Sequence, residues 1–276
     1  MPYRLSPPEN NFLADPPSLQ VSLLIPAKNS AHALEKTVQQ AERFLSREFP
    51  DQYEIIVIPN PSKGDASDQT LEVASRLERQ FPTVKSVPHR ELPGKGAALR
   101  TGLASARGKW IFFTDADLPY DLEFFARAAK KLQEGYGLIS GNRRLAESAF
   151  DVPVELLPIA YGRHRLGLSF NRVVRAFFPI RTTDTQAGIK AMNRELARDA
   201  FSAIECPGFF FDLELFLASE ACGYRHIELP VTLFLNSEKS TVRLLRDATL
   251  AAYWLTRIAR KHWRGDYGTG TGRKPA

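Results

Sequence analysis

From Val21 onward, short runs of apolar, β-favouring residues alternate with longer segments of helical periodicity. VSLLIP is followed by a segment in which Leu34, Val38, Ala41 and Leu45 recur at helical spacing, with Ser30 placed to cap it. YEIIVI (53–58) precedes a helix over about 68–80. VKSV is a third strand, 96–106 a helix, and WIFFT (110–114) a fourth strand. Such alternation implies parallel crossovers and a sheet covered on both faces, with ligands outside the carboxyl ends of the strands. The second half is less regular. GLISG (137–141), IKAM and 231–235 are expected strands, and 163–178 and 212–222 expected helices.

The chain has 276 residues, 43% of them hydrophobic, enough to bury one large core or two modest ones. Cys206 and Cys222 form neither a disulfide framework nor a zinc pattern; two buried thiols in a reducing compartment are expected. Prolines interrupt the first 20 residues, so a signal peptide is not expected there. No uncharged apolar run reaches the roughly 18 residues a membrane span requires. The formal charge of +6 suits nucleic acid, anionic lipid or phosphorylated substrates. Zinc-finger, RNP and helix-turn-helix signals are absent, which argues against nucleic acid.

The fourth strand stops at Asp115, and Asp117 follows after one alanine. Two carboxylates at a strand end repel unless a cation compensates, and hard oxygen ligands suit Mg²⁺ or Mn²⁺. The same D-A-D also suits a solvated turn leading into the next helix, with Asp121 in its first turn. Upstream, Gly94 and Gly96 bracket Lys95 ahead of a helix, a segment able to offer amides and a cation to anionic groups. It is not a Walker A loop.

LIPAKNS, ELPGKGAALRTGLASARG, FTDADLP, SGNR, DTQAGIKAM, FDLEL, Gly223-Tyr224, ELPV and EKSTVRLLRD, in that order, resemble glycosyltransferase family 2. The spacing is most similar to its dolichyl-phosphate glucosyltransferase and polyprenyl-phosphate sugar synthase branch. The resemblance implies a GT-A fold, an α/β architecture with one mostly parallel sheet flanked by helices, and a nucleotide-sugar donor. It also implies Mg²⁺ or Mn²⁺ on Asp115 and Asp117, and inversion at the anomeric carbon. Pro26, Ala27 and Asn29 fall in the nucleotide pocket, Lys95 near the donor, and Arg143 near the phosphates or the acceptor. Asp184 and Gln186 match the D-T-Q that lines the sugar and acceptor side. Asp212 and Glu214 lie where relatives with hydroxyl acceptors place a base. One departure stands out: Pro59 and Asn60 replace the acidic pair that usually follows the second strand. Asn60 can hydrogen-bond a nucleoside but carries no charge. Asp65 and Asp68 compensate or cap the next helix.

A lipid phosphate acceptor needs positioning and screening, for which Arg143, Arg163, Arg165 and Lys239 are candidates. A hydroxyl acceptor needs a base, Asp212 or Asp184. A non-catalytic relative that binds a nucleotide or a partner is the third reading. His164 is expected to be structural, and PGFFF to be core or an apolar cover for the acceptor. On a helical wheel Leu245, Ala248, Ala252, Leu255 and Ala259 share one side of the C-terminal segment. Arg246, Arg257, Arg260 and Arg264 gather opposite, near Tyr253 and bordered by Lys261 and Trp254. That face suits either solvent or an anionic membrane surface on the cytoplasmic side. The expected division is a flexible arm (1–19), a catalytic domain (20–240), a basic amphipathic helix (241–264) and a disordered tail (265–276). The sequence leaves the oligomeric state open.

Overall fold

The computed structural model describes residues 4–5, 13, 15–60, 67–90, 93–234 and 248–268. Strands β1 (Leu19–Ala27), β2 (Tyr53–Pro59), β3 (Val84–Ser86) and β4 (Gly108–Phe113) alternate with helices α1 (Ala31–Glu48), α2 (Thr70–Gln80) and α3 (Lys95–Ala104). Then come α4 (Glu123–Gln133), β5 (Leu138–Asn142), β6 (Ala149–Asp151), α5 (Leu157–Phe177) and β7 (Lys190–Asn193). Helices α6 (Arg194–Ala203) and α7 (Phe211–Ala221), strands β8 (His226–Pro230) and β9 (Thr232–Phe234), and α8 (Ala248–Trp263) complete the order. Seven strands form one sheet, β3-β2-β1-β4-β7-β5-β8, and β6 pairs with β9 beside it.

Neighbouring strand residues point to opposite faces and into different cores. Leu23, Ile55 and Phe112 pack under α1, α2 and α4, while Leu24, Ile56 and Phe113 pack under α3, α6 and α7. Trp254 and Ile258 join that second core, which attaches α8 to the domain. β7 is antiparallel to both β4 and β5, whereas the other ladders of this sheet are parallel. Its amino end therefore lies beside the carboxyl ends of its neighbours. Phe113 faces Lys190 in the ladder, so the residues just after β4 meet those just before β7.

Several expectations need correction. Ser30 precedes α1 without a side-chain cap; its hydroxyl donates to Lys28 O. The strand expected at 231–235 is β9, and a further strand that was not expected, β8, precedes it; the two are separated at Pro230–Val231, because proline lacks the amide a continuing ladder requires. Within the segment expected as an arm, Leu5 and Leu13 are buried, and the Asp15 carbonyl accepts from Arg194. Within the expected tail, Tyr267 is buried and its hydroxyl donates to Glu214 Oε1 at 2.8 Å.

On the edge remote from the acids, buried Glu54 accepts from Ser22 Oγ at 2.7 Å and from the Arg107 amide and Nε at 2.6 and 3.0 Å. Burial pushes this carboxyl up, but the bonds from Ser22 and Arg107 outweigh it and hold it below the ordinary glutamate value. The stability this gives is present at neutral pH and is lost as pH falls through the lowered folded value. Glu54→Gln is expected to cost about 1–3 kcal/mol at pH 7 and to flatten that acid limb, as calorimetry at stepped pH would measure.

Candidate active site

The turn after β4 is held from both sides. Thr37 of α1 donates to Ala116 O at 2.8 Å, and Leu118 N donates to Asp115 O at 3.1 Å. Leu118 has φ 43°, a left-handed conformation that a branched side chain adopts at a cost of about 1–2 kcal/mol. Asp115 accepts from Lys95 Nζ at 2.5 Å. Asp117 is open to solvent on one side; lost hydration against the protein, then the charge of Asp115, raise its carboxyl above the usual range. Opposite Asp115 lies Gly188, where any Cβ would collide with the Asp115 carboxylate. The antiparallel register puts it there, two residues before Lys190 as Asp115 is two after Phe113.

The same reversal brings in the D-T-Q segment. Arg143, just after β5, makes a two-pronged pair with Asp184, Nε and Nη2 each at 2.7 Å from one carboxylate oxygen. Burial opposes the Asp184 charge, but Arg143 holds the carboxyl down to about 2. Both oxygens of Asp184 are thus engaged, and the carboxylate fixes the position of Arg143. Buried Tyr120 accepts from Gly188 N at 3.3 Å. Gln186 adjoins this pair, its backbone N–H donating to Asp184 Oδ1.

Lys190 was not among the expected site residues. It is fully buried between the rings of Phe113 and Phe216, each 5.5 Å from Nζ, and donates to Asp212 Oδ1 at 2.7 Å. Burial lowers Lys190 and raises Asp212. The available signal was a lysine inside an apolar strand, which needs a buried partner. Glu214, two residues beyond Asp212 and so on the other side of α7, is not in this group. It accepts from the Glu205 and Cys206 amides and from Tyr267, so its role is structural.

At the β1–β2 end, Pro26 and Ala27 close β1, and Asn29 has φ 50° with its amide donating to Asp68 Oδ2. Asp68 Oδ1 also accepts from Thr70 N at the start of α2, the capping role expected for it. Asn60 is buried; its amide nitrogen donates to Gly94 O at 3.2 Å, tying the end of β2 to the G-K-G segment. The two glycines serve close packing more than an open anion cradle. A Cβ at Gly94 would strike Pro207 O, one at Gly96 would meet Phe211 and Cys206, and Ala97 N already donates to Pro207 O.

Lys239, Asp65 and Arg246, and the side chains of Arg163 and His164, lie outside what is described. Arg165 is exposed on α5 and lies over the Tyr161 ring at 5.9 Å. In PGFFF, Phe210 and Phe211 are core and Phe209 is exposed. The expected wheel of α8 is rotated: Trp254 and Ile258 are buried, Ala252 is exposed, and Arg257 is paired with Glu205 at 2.6 Å.

Asp115 and Asp117 fit a hard divalent cation by donor type. Among the described residues no group of three or more His, Cys, Asp or Glu surrounds them. Mg²⁺ and Mn²⁺ accept such a partial set, completing their shell with water and substrate phosphate oxygens.

A sheet of this order, with an acidic pair at the carboxyl edge and a basic and acidic wall opposite, is that of GT-A glycosyltransferases. The chain belongs to Glycosyl transferase family 2, whose profile matches residues 22–201. It is 27% identical to glycosyltransferase AglD of Haloferax volcanii over 77% of this chain and 33% of that protein. It is 29% identical to dolichyl-phosphate beta-glucosyltransferase of Drosophila melanogaster over 80% of this chain and 67% of that one. The chain spans 33% to 66% of the length of the first three curated relatives it matches. Among solved structures, glucosyl-3-phosphoglycerate synthase from Mycobacterium tuberculosis, with Mg²⁺ and UDP, superposes with TM-score 0.57 at 16% identity, over 89% of this chain and 79% of that one. Mannosyltransferase PcManGT from Pyrobaculum calidifontis, with GDP-Man and Mn²⁺, gives 0.52 at 19% identity, over 98% and 80%. Both likenesses establish the fold. Among the described residues no helix is long and apolar enough to cross a membrane.

Gly188→Ala is expected to displace the Asp115 carboxylate and leave the fold intact, because the colliding atoms end a side chain. Calorimetric titration with Mn²⁺ should show affinity falling about tenfold, with the thermal midpoint within a few degrees of the parent.

Proposed function

We propose that the protein is a metal-dependent, inverting glycosyltransferase that moves a hexose from a UDP- or GDP-sugar to a polyprenyl or dolichyl phosphate at the cytoplasmic surface of a membrane. The observation that carries this reading is that neither acceptor-side carboxylate is presented as an open base. Asp184 has both oxygens on Arg143, and Asp212 is buried against Lys190. A phosphate acceptor needs no base, since its second ionisation near pH 6 leaves it largely dianionic at neutral pH. The names of the curated relatives that are dolichyl-phosphate glucosyltransferases agree with it.

Pro26, Ala27, Asn29 and Asn60 border the nucleoside end, and Lys95 reaches the donor phosphates from beside Asp115. A bound Mg²⁺ or Mn²⁺ on Asp115 and Asp117 supplies neutralisation of the leaving diphosphate. Arg143, fixed by Asp184, is a rigid cation for the acceptor phosphate, with Gln186 beside it, and Arg163, Arg165 and Lys239 are further contacts on its path. The phosphate oxygen forms its bond to the anomeric carbon opposite the departing diphosphate as that C–O bond breaks, which inverts the centre. No proton moves in this step.

The second reading, transfer to a sugar or other hydroxyl, draws on the raised proton affinity of Asp212, a property a general base needs. Incubation with Mg²⁺ or Mn²⁺, a polyprenyl phosphate and labelled UDP- and GDP-sugars separates the two. Metal-dependent label should enter the organic phase, and Asp117→Ala should reduce it about 10²-fold or more. The double variant Asp212→Asn/Lys190→Met removes both buried charges together, which avoids stranding one. Transfer within about tenfold of the parent is expected. A folded double variant that loses all transfer, or label found only on sugar acceptors, would establish the hydroxyl reading instead.

A further inference from the structure

The strongest unassigned surface is the outer side of the segment from β6 into α5. Phe150 and Val154 stand out before the helix, and Leu157, Tyr161 and Arg165, four residues apart, share one face of it. Val154 is 75% exposed, Tyr161 62% and Leu157 50%, values a solvated domain rarely assigns to adjacent large apolar side chains. Across its 21 residues α5 holds Arg163, Arg165, Arg172 and Arg175 and no acid.

The inner side of the same helix is part of the acceptor wall. Arg144 donates to Gly167 O at 3.0 Å, Thr185 N donates to Asn171 Oδ1 at 3.3 Å, and Phe170 meets exposed Phe209 at 5.8 Å. At its far end Phe178 contacts His262 of α8 at 6.2 Å, and the neighbouring rings Phe177 and Trp263 are exposed. One continuous helix thus backs the site with its inner side and shows apolar and cationic groups on its outer side.

We infer that this β6–α5 face docks on an anionic lipid bilayer, Val154, Leu157 and Tyr161 entering the interfacial layer while exposed Arg165, Arg172 and Arg175 meet the headgroups. A membrane is favoured over a protein partner because the face pairs scattered apolar tips with charge of one sign, the combination that binds an anionic interface. The inference rests on a lipid-borne acceptor as proposed above. It moves the contact from α8, whose Arg257 is committed to Glu205 and whose Trp254 is in the core.

Cys206 and Cys222 are buried, so a cysteine introduced at Tyr161 can be labelled selectively with an environment-sensitive dye in the folded full chain. Vesicles of phosphatidylcholine with about 30% phosphatidylglycerol should blue-shift a label at Tyr161→Cys more than one at Arg264→Cys. Val154→Ser/Leu157→Ser/Tyr161→Ser should lower vesicle partitioning about tenfold or more with an unchanged thermal midpoint. Transfer to a short, water-soluble isoprenyl phosphate should stay at the parent level. A shift at 264 without one at 161, or unaltered partitioning of the triple variant, would overturn the assignment. If the parent transfers sugar to no phosphate acceptor, the proposed reaction fails while the vesicle result stands by itself.

Discussion

The site depends on the reversal of one strand. With β7 antiparallel between β4 and β5, the D-T-Q-A-G segment arrives at the edge where the parallel strands end. Gly188 then leaves room for Asp115, and Lys190 runs back under the same edge to Asp212. Had β7 been parallel, both would lie at the opposite end of the sheet, and the acids after β4 would face no wall.

Charge compensation follows from that placement. Three cations, Lys95, Arg143 and Lys190, stand against four carboxylates, Asp115, Asp117, Asp184 and Asp212. Asp115, Asp184 and Asp212 each pair with a cation; at Asp117 lost hydration, then the charge of Asp115, outweigh the pull of Lys95 and His32, and its proton affinity rises. A divalent cation would relieve that repulsion. The opposite wall is internally neutralised, which suits an acceptor that brings its own negative charge.

Much of this was legible along the chain. The alternation of VSLLIP, YEIIVI and WIFFT with helical segments identifies the parallel half, and D-A-D at a strand end marks the edge where ligands gather. Asp115, Asp117, Lys95, Arg143, Asp184 and Asp212 do converge there. Local periodicity could not reveal that Asp184 is locked by Arg143, that Glu214 turns to Tyr267, or that the G-K-G glycines face Pro207 and Phe211. Those contacts join residues far apart in sequence. The helical wheel likewise gave α8 an apolar side, but the neighbouring elements decided that Trp254 would be buried and Ala252 exposed.

The sequence alone determined the order of strands and helices, the chemistry available at the edge and the kinship of the chain, because apolar periodicity and residue type are local properties. Tertiary structure decided the direction of β7, the pairing of Lys190 with Asp212 and the outward face of α5. Each of these results from burying apolar surface and paired charge among distant segments, and no single stretch of the chain carries that information.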